Sequence, residues 1–288
     1  MTATINTNFG TQFSDMFHIV LQQEGSVLRN IFPVERANGN KHMFDRIGKF
    51  TASEVTSRLQ PTDWQDAPHS RRMATVRQYA APTTLSSIDE LKLLLDPTNQ
   101  YTKGLVAAQG RNYDTVCLQA LLGTAATGED GSGSATFAAA NIIAHGSTTL
   151  TWAKVDNAIE ILENNDVNVD REQLVFILNA RGKQDLITDT TNRGVSIDFQ
   201  KTKPLAGEPL MYRGVEFITT NLVPDSTAGS VFRAVLCTKD ALRVAMAEDI
   251  RVEMAKLPEH NFALGVAVYM MFGAVRMEEE AVVSILFQ

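Results

Sequence analysis

The sequence predicts an α+β chain in which a compact α/β unit sits between one long helix and long C-terminal strands. Three observations predict it. Residues 97–122 carry Leu105, Val106, Tyr113, Val116, Cys117, Ala120 and Leu121 on one broad helical face. Residues 151–246 alternate between helical and strand-like apolar patterns. From Ile250 onward the pattern is strand-like to the end of the chain.

The first 40 residues read as an arm with one helix, because Phe13, Met16, Phe17, Val20 and Leu21 recur at helical spacing and Gly25 offers a stop. Pro33, Asn38, Gly39 and Asn40 make a turn-rich exit. Residues 41–82 predict a long β-hairpin. One arm carries Phe44, Ile47, Phe50 and Val55, the other Met73, Val76 and Tyr79, around the polar centre Gln60–Pro68. So few apolar residues predict a ribbon that is not anchored in its own core. An isolated two-stranded ribbon is marginal in water, so it should rest on something else.

Ser87 and Glu90 form a capping box for a helix carrying Leu91, Leu93, Leu94 and Leu95. Asp96 can cap the long helix, with Pro97 at the first position, where a missing N–H costs nothing. At about 25 residues that helix would run ~37 Å. Gly104 and Gly110 weaken it, and Gly123 ends it. Small residues, Gly128 to Ser134 among them, lead into the α/β unit. There, Thr151 caps a helix with Val155, Ala158, Ile159 and Leu162 inward, and Leu174–Leu178 is a buried strand. Lys183–Thr188 reads as a short helix, Val215–Thr219 and Val231–Leu236 as strands, and Asp240–Met246 as a helix. Ile250–Met254 alternates cleanly, Ala263–Val275 is a long apolar strand, and Val282–Phe287 closes the chain.

The chain has 288 residues, 44% hydrophobic and 20% charged, with a net charge of −7. That balance excludes a disordered chain. It also argues against a protein whose main work is gripping nucleic-acid phosphates, since Lys and Arg supply that affinity. Cys117 and Cys237 both stand in apolar runs, which predicts buried thiols and no disulfide framework. The N-terminus has no basic segment followed by an apolar one, so no signal peptide is expected. The longest uncharged apolar stretch, Phe262–Val275, falls short of the ~20 residues that span a bilayer. A soluble protein is expected.

Motifs for chemistry are sparse. The chain has no GxxxxGK[ST] phosphate cradle, no GxGxxG behind a strand and no GxSxG elbow. His18, His42, His69, His145 and His260 are far apart, without metal-ligand spacing, so neither metal nor cofactor is expected. Asp185 with Asp189, and Asp156 with Glu160, are i,i+4 carboxylate pairs with no nucleophile nearby. No catalytic residue is expected.

Charge is distributed unevenly. In residues 41–77, Lys41, Arg46, Lys49, Arg58, Arg71, Arg72 and Arg77 outnumber Asp45, Glu54, Asp63 and Asp66, a net of +3. In residues 248–280, Glu248, Asp249, Glu253, Glu259, Glu278, Glu279 and Glu280 outnumber Arg251, Lys256 and Arg276, a net of −4. The alternative is two unrelated solvated faces, but a basic ribbon and an acidic terminal region are complementary, and such charge sets register between subunits.

In order, these elements are an arm, an extended loop, a long helix, an inserted α/β unit and long terminal strands. His69-Ser70-Arg71-Arg72 with Tyr79 resembles a subfamily of tailed-bacteriophage major capsid proteins, with the Hong Kong phage type fold also called the Johnson fold. So does Asp96-Pro97-Thr98-Asn99-Gln100-Tyr101 leading to Gly110-Arg111-Asn112-Tyr113-Asp114. The ending resembles it too, from Asn261-Phe262-Ala263 to Gly273-Ala274-Val275-Arg276-Met277-Glu278-Glu279-Glu280-Ala281-Val282-Val283.

The resemblance implies an N-terminal arm (1–40), an extended loop lying across a neighbouring subunit (41–82), a peripheral domain with a spine helix and long strands (83–122 and 248–278), and an axial domain (123–247 and 279–288). It implies pentamers and hexamers in an icosahedral shell around double-stranded DNA, with a portal protein, room for a decoration protein, no membrane, and no sequence-specific DNA binding. The chain enters its arm almost at once, from which a separate scaffolding protein is expected. The expected inter-subunit contacts are Arg58, Arg71 and Arg72 of one subunit against Glu278, Glu279 and Glu280 of the next. An encapsulin-type nanocompartment shell is the alternative within the fold. A soluble α/β enzyme built on residues 150–247 is the alternative outside it.

Overall fold

The computed structural model describes residues 23, 25–58, 64–86, 98–169, 171–189, 211–226 and 230–288. The helix expected over Phe13–Leu21, the Ser87–Glu90 capping box and the Asp96–Pro97 helix start lie outside them.

Three sheets organise the described chain. The first has the order β1 (Val34–Arg36), β12 (Leu242–Leu257), β13 (Ala263–Arg276), β4 (Arg77–Leu85). The second is six-stranded: β7 (Ile142–Ile143), β14 (Val282–Phe287), β11 (Phe232–Thr238), β8 (Leu174–Leu178), β10 (Val215–Thr219), β9 (Met211–Tyr212). The third joins β2 (Lys41–Ile47) and β3 (His69–Thr75) to the short β5 (Ala125–Thr127) and β6 (Gly133–Ala135). Among the described residues three α-helices complete the order: α1 (Thr98–Leu122), α2 (Trp152–Asn164) and α3 (Ala180–Thr188).

Helix α1 lies along the first sheet. Its Tyr113, Cys117, Leu118 and Leu121 are fully buried, and the Tyr113 ring meets Phe272 of β13 at 5.0 Å, with Tyr79 of β4 4.9 Å beyond. Polar bonds fix the register: the Gln109 side-chain amide donates to the Val268 carbonyl at 3.0 Å. Asp114 anchors the chain segment before β1. It accepts from the Val27 and Leu28 amides (3.0 and 3.1 Å), the Gln23 amide (2.7 Å) and the Ser26 hydroxyl. That carboxylate satisfies backbone donors of the segment's first turn as an N-cap would. Gly110 lets the segment lie that close, since a Cβ there would stand 2.6 Å from the Gly25 carbonyl carbon.

The α/β unit follows from hydrophobic patterning. All five residues of β8 are buried, as a central strand covered on both faces requires. Val155, Ala158, Ile159 and Leu162 of α2 pack with Phe176, Leu236 and Ile285 of that sheet in one cluster. Helix α2 is not capped by the Thr151 hydroxyl; the Trp152 amide donates to Asp189 at 2.9 Å instead.

Two expectations are corrected here. Asp240–Met246 is not a helix: a single 3-10 turn spans Lys239–Ala241, and β12 begins at Leu242. Buried Leu242 and Val244 pair with β13, and Val244 also pairs with Val34 of β1, so two neighbouring strands override a locally ambiguous apolar pattern. The hairpin also divides differently. Only 41–47 and 69–75 pair with each other, and past Val76 the chain leaves the ribbon to become β4 beside β13. Phe44, Ala74 and Val76 are buried with Ala125, Ala245 and Val275, so the hairpin's base is anchored in its own subunit.

One acidic side chain locks this junction. Arg72 of β3, only 8% exposed, donates from Nη2 to both Glu279 oxygens at 2.9 and 2.7 Å, and from Nε to the Met277 carbonyl at 3.2 Å. Arg46 of β2 reaches the same carbonyl at 3.3 Å and the same carboxylate at 3.7 Å. Arg276, wholly buried, stands 3.9 Å from Glu279 and donates to the Leu121, Gly123 and Ala135 carbonyls at 2.8, 2.6 and 3.2 Å. Three guanidiniums against one carboxylate would repel, and burial with the nearby Arg72 charge pulls the Arg276 pKa below its usual value. Carbonyls at the negative C-terminal end of α1 offset that charge. On the other side of the turn, Asn141 donates to the Glu279 and Val282 carbonyls and Asn165 to the Glu280 carbonyl. The turn from Met277 to Ala281 thus joins the hairpin, the end of α1 and the six-stranded sheet.

Replacing Arg72 by Ala should cost about 3 kcal/mol of subunit stability, the range for a buried pair that loses one member. Arg71→Ala, on the exposed side of the same strand, should cost under about 0.5 kcal/mol. Gly273→Ala should also be destabilising by roughly 2 kcal/mol, because its Cβ would collide with the Thr75 backbone oxygen where β13 crosses the hairpin exit. Thermal unfolding of the unassembled subunit checks all three.

Candidate inter-subunit surface

The residues expected to meet a neighbour separate into two groups. Arg72 and Glu279 find each other inside one chain and are largely withdrawn from solvent. This revises the expectation for Arg72: a guanidinium holding a carboxylate with two hydrogen bonds, in a nearly dry site, is not available to a second subunit without breaking its own. Arg58, Arg71, Glu278 and Glu280 remain exposed. Arg71 meets Asp45 across the hairpin at 2.5 Å, which holds its guanidinium pKa above the usual value. Lys49 pairs with Asp166 at 2.9 Å, and that bond raises its pKa with help from Glu280 and Glu278. The glutamate run therefore faces the hairpin of its own chain.

The sequence showed the opposite charges without showing where they meet. Of the hairpin's cations, Arg46, Lys49, Arg71 and Arg72 already have carboxylate partners in the same subunit. Much of the +3 is spent internally. Exposed pairs such as Arg71–Asp45 add little to stability, so they are easily exchanged, whereas Arg72–Glu279 is not.

Distal to the anchored base, the ribbon presents apolar side chains to solvent. Trp64 is 90% exposed, and Ile47, Phe50 and Val55 are each more than half exposed. Isolated exposed hydrophobics are ordinary, but four within 18 positions of one projecting loop form a surface that gains by being covered. A second exposed apolar group lies at the far end of β12 and β13: Val252, Met254 and Phe262. There the chain turns through Asn261 and Phe262, both with positive φ (51° and 57°). For a bulky side chain that backbone region is strained.

The carboxylate pairs of the α/β unit have structural partners. Asp189 caps α2, Asp185 pairs with Arg181 at 3.3 Å, and Asp156 accepts the Tyr212 hydroxyl at 3.0 Å. Among the described residues, no three His, Cys, Asp or Glu side chains converge as metal ligands, and no helix is long and apolar enough to cross a membrane.

Known structures share this architecture over its whole length. The capsid of cyanophage Pam1 superimposes with a TM-score of 0.76 at 17% identity, covering 100% of this chain and 98% of that one. The capsid of Ralstonia phage GP4 gives 0.74 at 12% identity, covering 100% and 97%. That of Helicobacter pylori bacteriophage KHP30 gives 0.74 at 10% identity, covering 99% and 97%. At such identities the likeness establishes the fold. No curated protein matches the sequence. The family model described as phage capsid protein matches residues 5–288, nearly the entire chain. This chain belongs to the phage capsid protein family.

Proposed function

We propose that this chain is the major subunit of an icosahedral shell that encloses the double-stranded DNA of a tailed bacteriophage. It is made in the host cytoplasm and carried in the virion. Copies associate as pentamers and hexamers, with a portal at one vertex, a separate scaffolding protein during assembly, and room for a decoration protein outside. The role is containment, with no catalytic step. The distal ribbon between Ile47 and His69 extends over a neighbour, α1 with the sheet of β1, β12, β13 and β4 forms the peripheral body, and the six-stranded sheet with α2 and α3 forms the axial body.

The single observation that carries this reading is the exposed apolar set Ile47, Phe50, Val55 and Trp64 on a ribbon whose base is fixed by ion pairs. A rigid base aims the loop; an apolar surface makes it adhere. Tryptophan is among the residues that most often dominate interface energy when buried by a partner. The exposed charges Arg58, Arg71, Glu278 and Glu280 then set register and encounter rate rather than binding strength. A net charge of −7 also suits a container, since DNA repelled by its wall is free to be packed and released.

Phe50→Ser with Trp64→Ser should leave the unassembled subunit folded, with an unchanged far-UV circular dichroism spectrum. Particle yield by sedimentation and electron microscopy should fall more than about ten-fold, because every repeated contact loses apolar area that burial would withdraw from water. Wild-type yields of normal shells from that variant would refute the reading. Arg58→Glu with Arg71→Glu should slow assembly and alter its salt dependence while still giving closed particles, as light scattering against ionic strength would record.

A further inference from the structure

Strand β12 runs well past the strand that covers it. β1 pairs with Val244–Met246, and the Ala37 amide bonds Met246 at 2.9 Å. A little further on, Arg29 holds Asp249. From Arg251 to Leu257 the outer edge of β12 has no strand partner among the described residues, and Arg251 to Lys256 are all exposed. The opposite edge of the same sheet, β4, carries Pro82, a residue that blunts strand addition. The uncovered stretch of β12 carries no proline; its charged Arg251, Glu253 and Lys256 accompany Val252 and Met254, which stand on the face of their buried cross-strand partners Val268 and Val266.

Its sequence is complementary to itself. In an antiparallel pair of two copies related by a two-fold axis through Val252, Ile250 faces Met254 and Arg251 faces Glu253, each twice, with Val252 facing itself. Asp249, already paired with Arg29, faces the small Ala255, and Glu248 faces Lys256. Apolar meets apolar and cation meets carboxylate. Neighbouring registers fail: centring on Arg251 or Glu253 opposes like charges, and centring on Met254 sets Val252 against Lys256. Within one chain Arg251 bridges Glu248 and Glu253 at 3.0 and 3.2 Å. These are exposed pairs, readily exchanged for Glu253 and Lys256 of the second copy, which face Arg251 and Glu248 across the axis. Regular pairing of β12 with β13 starts at Arg251, after the irregularity that follows Glu248, so the matched core is Arg251 to Glu253, flanked by Ile250 and Met254.

We propose that the free edge of β12 pairs antiparallel with the same strand of a second copy, about a two-fold axis at Val252, joining two four-stranded sheets into one. Such an interface is isologous, the same patch serving both sides. It rests on the reading that copies of this chain assemble, and it assigns one of their contacts a register.

The geometry makes the test direct. A residue on the axis faces its own copy within disulfide reach, whereas Glu253 and its copy are offset by two positions, about 7–8 Å apart. The native thiols do not interfere, because Cys117 and Cys237 are buried, and burial pushes the Cys237 thiol up to about 12. Assembled Val252→Cys particles, oxidised and run on a non-reducing gel, should show more than half the chain as covalent dimer, and Glu253→Cys particles should run as monomer. Val252→Cys particles that form normally yet stay monomeric on the gel overturn the proposal and leave the assembly reading intact. Should Val252→Cys not assemble, charge exchange decides: Glu253→Arg lowers particle yield, and adding Arg251→Glu must restore it. A double variant no better than the single one also overturns the proposal. Wild-type chains that never assemble overturn the assembly reading itself, and this pairing with it.

Discussion

Glu279 sits where three parts of the subunit would otherwise be free to pivot. Its carboxylate accepts two hydrogen bonds from Arg72, and Arg46 and Arg276 close around it. Arg276 in turn holds the end of α1 and β6 through backbone carbonyls. A hairpin standing on two short strands would have little to set its angle. Here the angle is set by planar guanidiniums whose donors have fixed directions, so tilting the ribbon means breaking several charge-assisted bonds together. The rest of the surface inherits its geometry from that constraint. Phe50 and Trp64 are useful as contacts only if the loop that carries them leaves the subunit in one direction.

This arrangement separates two jobs that a shell subunit must do. Inside the subunit, charges are buried and satisfied, which is costly to undo once a partner is removed. Between subunits, apolar side chains are offered in small numbers, so that each contact is weak and the total comes from repetition. Weak individual contacts allow a misplaced subunit to leave before the shell closes. Strong ionic locks between subunits would trap it. Most of the hairpin's positive charge thus fastens the subunit internally, and only its exposed, easily exchanged members are left to meet a neighbour.

Much of the fold was legible in the sequence because its cores are local in pattern. Leu174–Leu178 is a continuous apolar run of strand length, Val282–Phe287 is one broken only by Ser284, and the face of α1 repeats from Leu105 to Leu121, about five turns. Asp240–Met246 misled because Ala241, Leu242, Val244 and Ala245 fit a helix as readily as a strand, and only the presence of β13 and β1 decides. The site was half legible. Basic and acidic runs were visible, but Arg72 and Glu279 are 207 positions apart, and no local rule says whether they meet within one chain or between two. Nothing local in the sequence marks Asp114. Its role in tying down residues 25–31 shows in the hydrogen bonds alone, since carboxylates on long helices usually face water.

The strain at the tip of the long β12–β13 hairpin can be understood in the same terms. Asn261 tolerates positive φ better than most residues, but Phe262 does not, and its ring is two-thirds exposed. A soluble monomer gains nothing from either feature. The tip lies at the end of strands whose inner halves are fixed by α1 and by the Arg276 cluster, so it projects on a rigid arm, as the extended loop does. Two rigid arms, each ending in exposed apolar side chains, suit a subunit whose free energy is completed by its neighbours. The strained turn is tolerable because β13 behind it pairs with β12 along nearly all its length and with β4 from Leu264 to Phe272. The stability of the inner sheet is what allows its tip to be shaped for contact rather than for folding.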